Sequence, residues 1–227
     1  MPNVAFISPK GGVGKTTAAL LLALGLAERG QRVAIIDSDP NKPLVRWAAL
    51  PGRPELISVH PAPTAQDIRD AAREAQRREP DWLILDTEGT ERGAMAFAAL
   101  RFDLVLTPVS GSQLDLHEAI KAADMARSLG RRAGRPPPHR AVLSRIPAAI
   151  RPRMLKSVVA QLREAEVQIL PTPLIDKEAF RTLFHTGGGF EGLKSQGVFG
   201  ADAARHNAAA FVADVVDLVQ GSPVEGL

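Results

Sequence analysis

The chain has 227 residues, 45% hydrophobic and 23% charged, a composition that gives a soluble globular protein able to bury a core without covalent staples. It contains no cysteine, which excludes a disulfide framework, a thiolate-held metal or iron–sulfur cluster, and a cysteine nucleophile. The five histidines are scattered with no pair at metal-ligand spacing. Net charge is only +3, and the longest apolar run, Ala18 to Leu24, falls well short of the ~20 residues of a membrane span.

In chain order, the sequence alternates short β-branched runs with longer helical stretches. Strands are expected at Val4–Ser8, Arg32–Asp37, Leu56–Val59, Trp82–Asp86, Leu104–Pro108, Arg140–Leu143 and Val167–Leu170. Helices are expected at Lys15–Arg29, Ala65–Arg78, Arg92–Leu100, Leu114–Leu129, Pro152–Ala165, Lys177–Phe184 and Ala201–Val219. Several strands are apolar without alternation, as happens when helices cover both faces of a sheet. The expectation is an α/β fold, a mostly parallel twisted sheet flanked by helices, forming one domain over 1–221 with a frayed tail at 222–227. Gly134 to Pro138 reads as a stiff connection. His185-Thr186-Gly187-Gly188-Gly189 reads as a flexible loop, because no G-x-S-x-G nucleophile elbow accompanies it.

One segment dominates. Pro9-Lys10-Gly11-Gly12-Val13-Gly14-Lys15-Thr16-Thr17 follows the first strand and opens the first helix, the context a phosphate loop requires. Gly11, Gly12 and Gly14 let backbone N–H groups turn inward as an anion nest, and the helix N-terminus adds positive potential. Lys15 is placed to meet β- and γ-phosphate oxygens, and the Thr16 hydroxyl to ligate Mg²⁺. The usual pattern has glycine where this chain has Pro9, and Lys10 is surplus to it.

Lys10-Gly-Gly-Val-Gly-Lys-Thr-Thr resembles the deviant Walker A motif of the ParA/MinD family of ATPases. The resemblance implies a P-loop fold, ATP and Mg²⁺ as cofactors, and Lys10 as the lysine that crosses a dimer into the partner's nucleotide. Gly11 to Thr17, Val13 included, would hold the phosphates. Ile35-Ile36-Asp37-Ser38-Asp39-Pro40 looks like the family's second motif, in which Asp39 positions the attacking water and Asp37 supports the metal side. Two carboxylates one residue apart at a strand end suit that division. Leu83-Ile84-Leu85-Asp86 looks like a Walker B strand, with Asp86 serving the Mg²⁺. Thr87-Glu88-Gly89 departs from the family, which has a small residue or proline at the position of Glu88. Leu106 to Ser110 is a further family-like segment, and Asp115 after it reads first as a helix N-terminal residue.

The resemblance runs from about Val4 to Val219 and is greatest to the short, ParF-like ParA type. With the phosphate loop this early, no room is expected for an N-terminal winged helix. In this type the adenine pocket comes from late loops, here Ser144-Arg145-Ile146-Pro147 and Pro171 to Asp176, so Arg145 and Pro171 are candidate contacts. Ordinary strand-to-helix loops are the alternative reading of both.

Ten lysines and arginines fall between Arg127 and Arg163 with no aspartate or glutamate among them. Solvated faces normally mix signs, so a phosphate backbone is the natural partner, with Arg151, Arg153 and Lys156 as candidate DNA contacts. No aromatic residue interrupts the run, which argues against stacking on single strands. The resulting expectation is a cytoplasmic, nucleoid-associated ATPase that forms an ATP-sandwich homodimer, binds nonspecific duplex DNA, and partitions DNA or positions a cargo. A small centromere-binding or cargo adaptor protein would stimulate hydrolysis. The C-terminus lacks the basic amphipathic helix of membrane-bound MinD proteins, so no membrane is expected. A metabolic ATP-dependent synthetase on the same fold is the alternative.

Overall fold

In the computed structural model, residues 1–8, 10–89, 100–110, 113–132, 137–147 and 152–221 are described. Six parallel strands form one sheet in the order β3-β2-β4-β1-β5-β6. They are β1 (Asn3–Phe6), β2 (Val33–Asp37), β3 (Ile57–Pro61), β4 (Trp82–Asp86), β5 (Leu104–Val109) and β6 (His139–Leu143). Among the described residues the helices are α1 (Lys15–Glu28), α2 (Pro43–Ala49), α3 (Ala65–Gln76), α4 (Gln113–Arg132), α5 (Pro152–Glu164), α6 (Glu178–Thr186), α7 (Phe190–Ser195) and α8 (Ala201–Val219).

The two-residue period of a strand divides the core. Val4, Phe6, Val33, Ile35, Trp82 and Ile84 pack on the face covered by α1, α2, α6, α7 and α8. Ala5, Ile7, Ala34, Ile36, Leu83 and Leu85 pack on the opposite face against α3. The first helix reads ALLLALGL and is buried on every side from Ala18 to Leu26, the behaviour of an apolar helix enclosed by other elements. Because Asp37 and Asp86 follow Ile35 and Ile84 by two residues, both carboxylates belong to the α1 face.

Several expectations shift. Val167–Leu170 is not a strand: it makes a single bridge, Ala141 to Ile169. Pro171 and Pro173 have no N–H with which to extend a ladder, and the Thr172 amide donates to Asp214 of α8 instead. The short helices α2 and α7 were not foreseen. The glycine run after α6 is not a free loop. Gly187 is buried at φ 75°, and a Cβ there would lie 2.5 Å from Leu50 Cβ and 2.7 Å from the Pro51 carbonyl. Residues 92–99 of the expected helix Arg92–Leu100, most of the Gly134–Pro138 connection and the 222–227 tail fall outside the described residues, and Leu100 is not helical.

Candidate functional site

The carboxyl ends of β1, β4 and β2 lie side by side, with Phe6 paired to Asp86 and Asp86 to Asp37. Open α/β sheets bind ligands at this edge, where the strand order reverses. From β1 the chain turns through the glycine loop, Gly12 at φ 76° and Gly14 at φ 100°, left-handed values that tolerate glycine and strain other residues. Gly14 caps α1 and Lys15 is its first residue.

Lys15 is only 7% exposed, and its Nζ donates to the Lys10 carbonyl at 2.9 Å. Burial lowers its pKa, while the charges of Asp86, Asp39 and Glu88 pull it back up. Asp86 is fully buried at the end of β4, and among the described residues none makes a well-formed hydrogen bond to either of its oxygens, the Thr16 hydroxyl lying nearby. Burial pushes its pKa up to about 7. The neighbouring Thr16 hydroxyl and Lys15 oppose that rise, and Asp37 and Asp39 add to it. A buried carboxylate with no formed hydrogen bond, close to a lysine and a threonine hydroxyl, has the chemistry of a cation site. Mg²⁺ commonly takes only one or two protein ligands and fills its octahedron with phosphate oxygens and water, so Thr16 and Asp86 fit it.

Asp37 has a job that sequence reasoning missed. Its Oδ2 accepts the Leu44 and Val45 amides at 2.9 and 3.0 Å, and its Oδ1 accepts the Asp39 amide at 3.2 Å. It therefore caps α2 from the end of the neighbouring strand, so its carboxylate is already engaged by the protein while Asp86 is not. Burial raises the Asp37 pKa against the pull of these amides. Asp39 is half-buried, and its Oδ1 accepts the Asn41 amide at 2.7 Å, which holds the side chain at the mouth of the loop.

Lys15, Thr16 and Asp39 open onto a cavity of about 470 Å³. One end is lined by Gly11, Gly12, Gly14, Lys15, Thr16, Thr17, Asp39 and Glu88; the other by Leu174, Ile175, Phe180 and Phe184. Ser144 and Arg145 join the two ends. The Ser144 hydroxyl donates to the Val13 carbonyl, and Arg145 Nη1 donates to the Gly12 carbonyl, both at 2.6 Å. Val13 itself is buried under this brace. The cavity is thus anion-seeking at one end and apolar at the other.

Pro171 does not line the cavity; its loop contributes later residues, from Leu174 to Lys177. The reason is the backbone pairing of that loop. Leu174 N donates to Leu143 O, Ile146 N to Leu174 O and Asp176 N to Ile146 O, drawing 174–176 along the end of β6. Sequence reasoning also missed Phe180, Arg181 and Phe184 of α6. Phe180 and Phe184, one helical turn apart, were the available signal. Arg181 is held by Asp176 and Glu178 at 2.6 and 2.8 Å.

The basic stretch is not one surface. Arg127 pairs with Asp124 and Glu166 at 3.7 and 3.9 Å, Arg145 belongs to the cavity, and Arg140 is half-buried. Lys156 and Arg163, seven residues apart on α5, are both exposed. Arg151 and the side chain of Arg153 lie outside the described part, while Asp115 falls in the first turn of α4.

A family model described as VirC1 protein matches residues 1–208. The chain belongs to the VirC1 family. This VirC1-family protein is 32% identical over 214 residues to Protein ParA of Rhizobium radiobacter, covering 93% of this chain and 94% of that relative, which bears out the ParA/MinD resemblance. An ATP complex of McdA from Cyanothece superposes with a TM-score of 0.71 at 16% identity, over 99% of this chain and 98% of that one. A cobyrinic acid a,c-diamide synthase from Mycobacterium smegmatis with bound ADP and magnesium gives 0.66 at 17%, over 100% and 99%. At such identities these two likenesses show the fold alone, the P-loop α/β architecture. Among the described residues no helix is long and apolar enough to cross a membrane.

Proposed function

We propose that this VirC1-family protein is a Mg²⁺-dependent ATPase that partitions DNA or positions a cargo, switching between a monomer and an ATP-sandwich dimer. The observation that carries the reading is the buried Asp86, neither oxygen in a formed hydrogen bond, next to the Lys15 and Thr16 that line a nucleotide-sized cavity. ATP would lie with its phosphates in the Gly11–Thr17 loop and its base toward Leu174, Phe180 and Phe184. Lys15 binds the β- and γ-phosphates. Thr16 and Asp86 hold the cation, with Asp37 behind them. Bound there, Mg²⁺ neutralises the charge of the phosphates.

Asp39 aligns the attacking water. Lys10 reaches the nucleotide of a second copy, so that ATP favours the dimer and hydrolysis, stimulated by a small adaptor, releases it. Two copies present twice the candidate contacts Arg151, Arg153 and Lys156, together with the exposed Arg163, to duplex DNA. Affinity then depends on nucleotide without any change in the surface itself. Residues 1–221 act as one unit in this scheme, in the cytoplasm and on the nucleoid.

Fluorescence anisotropy of a labelled duplex of arbitrary sequence, with ATP, ADP or no nucleotide across a salt series, tests the reading. Binding should require ATP, and a dimer making about three phosphate contacts per subunit should give a log–log salt slope on the order of −5. Replacing Arg151, Arg153 and Lys156 together should weaken binding on all sequences alike and flatten the slope. Equal binding in the three nucleotide states would overturn the switch and leave a metabolic enzyme on the same fold.

A further inference from the structure

Asp37 and Asp86 are register partners on adjacent parallel strands. Beyond them each strand runs on two residues to another acidic side chain, Asp39 after β2 and Glu88 after β4. Both line the phosphate end of the cavity, and both lie close enough to Lys15 to act on its charge. The segment carrying Glu88 is anchored. The buried Thr87 hydroxyl donates to the Phe6 carbonyl at 2.8 Å, tying it to β1 just before the loop, and Gly89 follows at a left-handed φ of 58°. The Ser38 amide donates to the Asp86 carbonyl at 3.0 Å, tying the Asp39 segment to the Glu88 segment. The two carboxylates are thus mounted on one hydrogen-bonded frame and line the same end of the cavity.

We propose that Glu88 is a second hydrolytic carboxylate, which aligns the attacking water together with Asp39. The inference rests on the ATPase reading above. A bond forms between the water oxygen and the γ-phosphorus, the bond from that phosphorus to the β–γ bridging oxygen breaks, and its electron pair leaves on ADP. The water protons, held by the two carboxylates during attack, finish on inorganic phosphate. Two acceptors constrain both O–H bonds of the water, where one acceptor fixes a single direction. Glu88 has an opposing effect on binding, because its charge faces the γ-phosphate of ATP and not the shorter phosphate chain of ADP.

Glu88→Gln keeps size and hydrogen-bonding reach while removing the charge, so turnover and ATP affinity should move in opposite directions. Single-turnover hydrolysis at saturating Mg²⁺ and ATP should slow about 10²-fold. A fluorescent ATP analogue should bind severalfold more tightly, on the order of tenfold at most for one charge at this range, with ADP affinity changing less. Glu88→Asp should recover part of the rate. In the Asp39→Asn, Glu88→Gln double variant the loss should be smaller than the product of the single losses, since both act on one water. Wild-type turnover in Glu88→Gln would overturn the proposal. So would a joint loss of turnover and nucleotide affinity in both Glu88→Gln and Glu88→Asp, which would make Glu88 a structural residue. A wild-type protein that neither binds nor hydrolyses ATP would sink the ATPase reading, and this proposal with it. Failure confined to the Glu88 variants sinks only the proposal.

Discussion

Replacing Asp86 by asparagine removes a charge and keeps the shape. This carboxyl is fully buried with no well-formed hydrogen bond to either oxygen, and its pKa is pushed up to about 7 from the usual 3.8, chiefly by burial. An acid whose pKa is raised by folding is protonated more tightly in the folded state. Its contribution to stability is therefore complete below about pH 4 and is lost as pH rises through 7. A gap of about three pKa units, at about 1.4 kcal/mol each, sets an upper limit near 4 kcal/mol. Denaturant unfolding of wild type and Asp86→Asn in EDTA, from pH 4.5 to 8, isolates this group together with its coupling to Lys15, Asp37 and Asp39, because titrations remote from Asp86 cancel in the difference. The variant should gain on wild type by roughly 1–4 kcal/mol between the two ends of the range, whatever its absolute stability. Mg²⁺ and nucleotide should reverse the order, stabilising wild type and barely moving the variant, which offers the cation no carboxylate. Two stability curves that stay parallel across the range would refute the reasoning, since they would mean that Asp86 is not held against ionisation.

Lys15→Ala should abolish binding of a fluorescent ATP analogue, because it removes the buried ammonium opposite the phosphates; an affinity within about twofold of wild type would count against the phosphate assignment. Lys10→Ala should bind nucleotide but not dimerise with ATP, as read by light scattering, and a variant that dimerises normally would refute a role across the interface. Gly187→Val should lower stability by about 3 kcal/mol or more, because φ is 75° and the new Cβ would meet Leu50 and the Pro51 carbonyl at 2.5 and 2.7 Å. For a chain of this size that is a Tm drop of roughly 6–12 °C, and an unchanged Tm would restore the picture of a free glycine loop.

The parts of the site legible in the sequence are those where one residue type has few other uses. Glycines at left-handed φ, a lysine opening a helix, and an aspartate closing an apolar strand each mark a local backbone need, so Gly12, Gly14, Lys15 and Asp86 stand out in the linear chain. What stayed hidden depends on contacts that no short motif encodes. Asp37 caps α2 because β2 ends where α2 begins, and nothing in the seven residues Pro43–Ala49 announces a helix strongly enough to expect that partner. Phe180 and Phe184 enter the cavity only because residues 174–176 follow the end of β6, a path set by three backbone hydrogen bonds and by the prolines before them. Val167–Leu170 has the composition of a strand and lacks the continuing donors to be one. Glu88 shows the same logic from the other side. By sequence it is a departure from a motif, an extra negative charge where phosphates are expected. Two residues beyond the paired Asp37 and Asp86, the same charge lines one cavity with Asp39, where the proposal gives it work to do. The meaning of that carboxylate lies in the pairing of β2 with β4, which no single segment of the chain records.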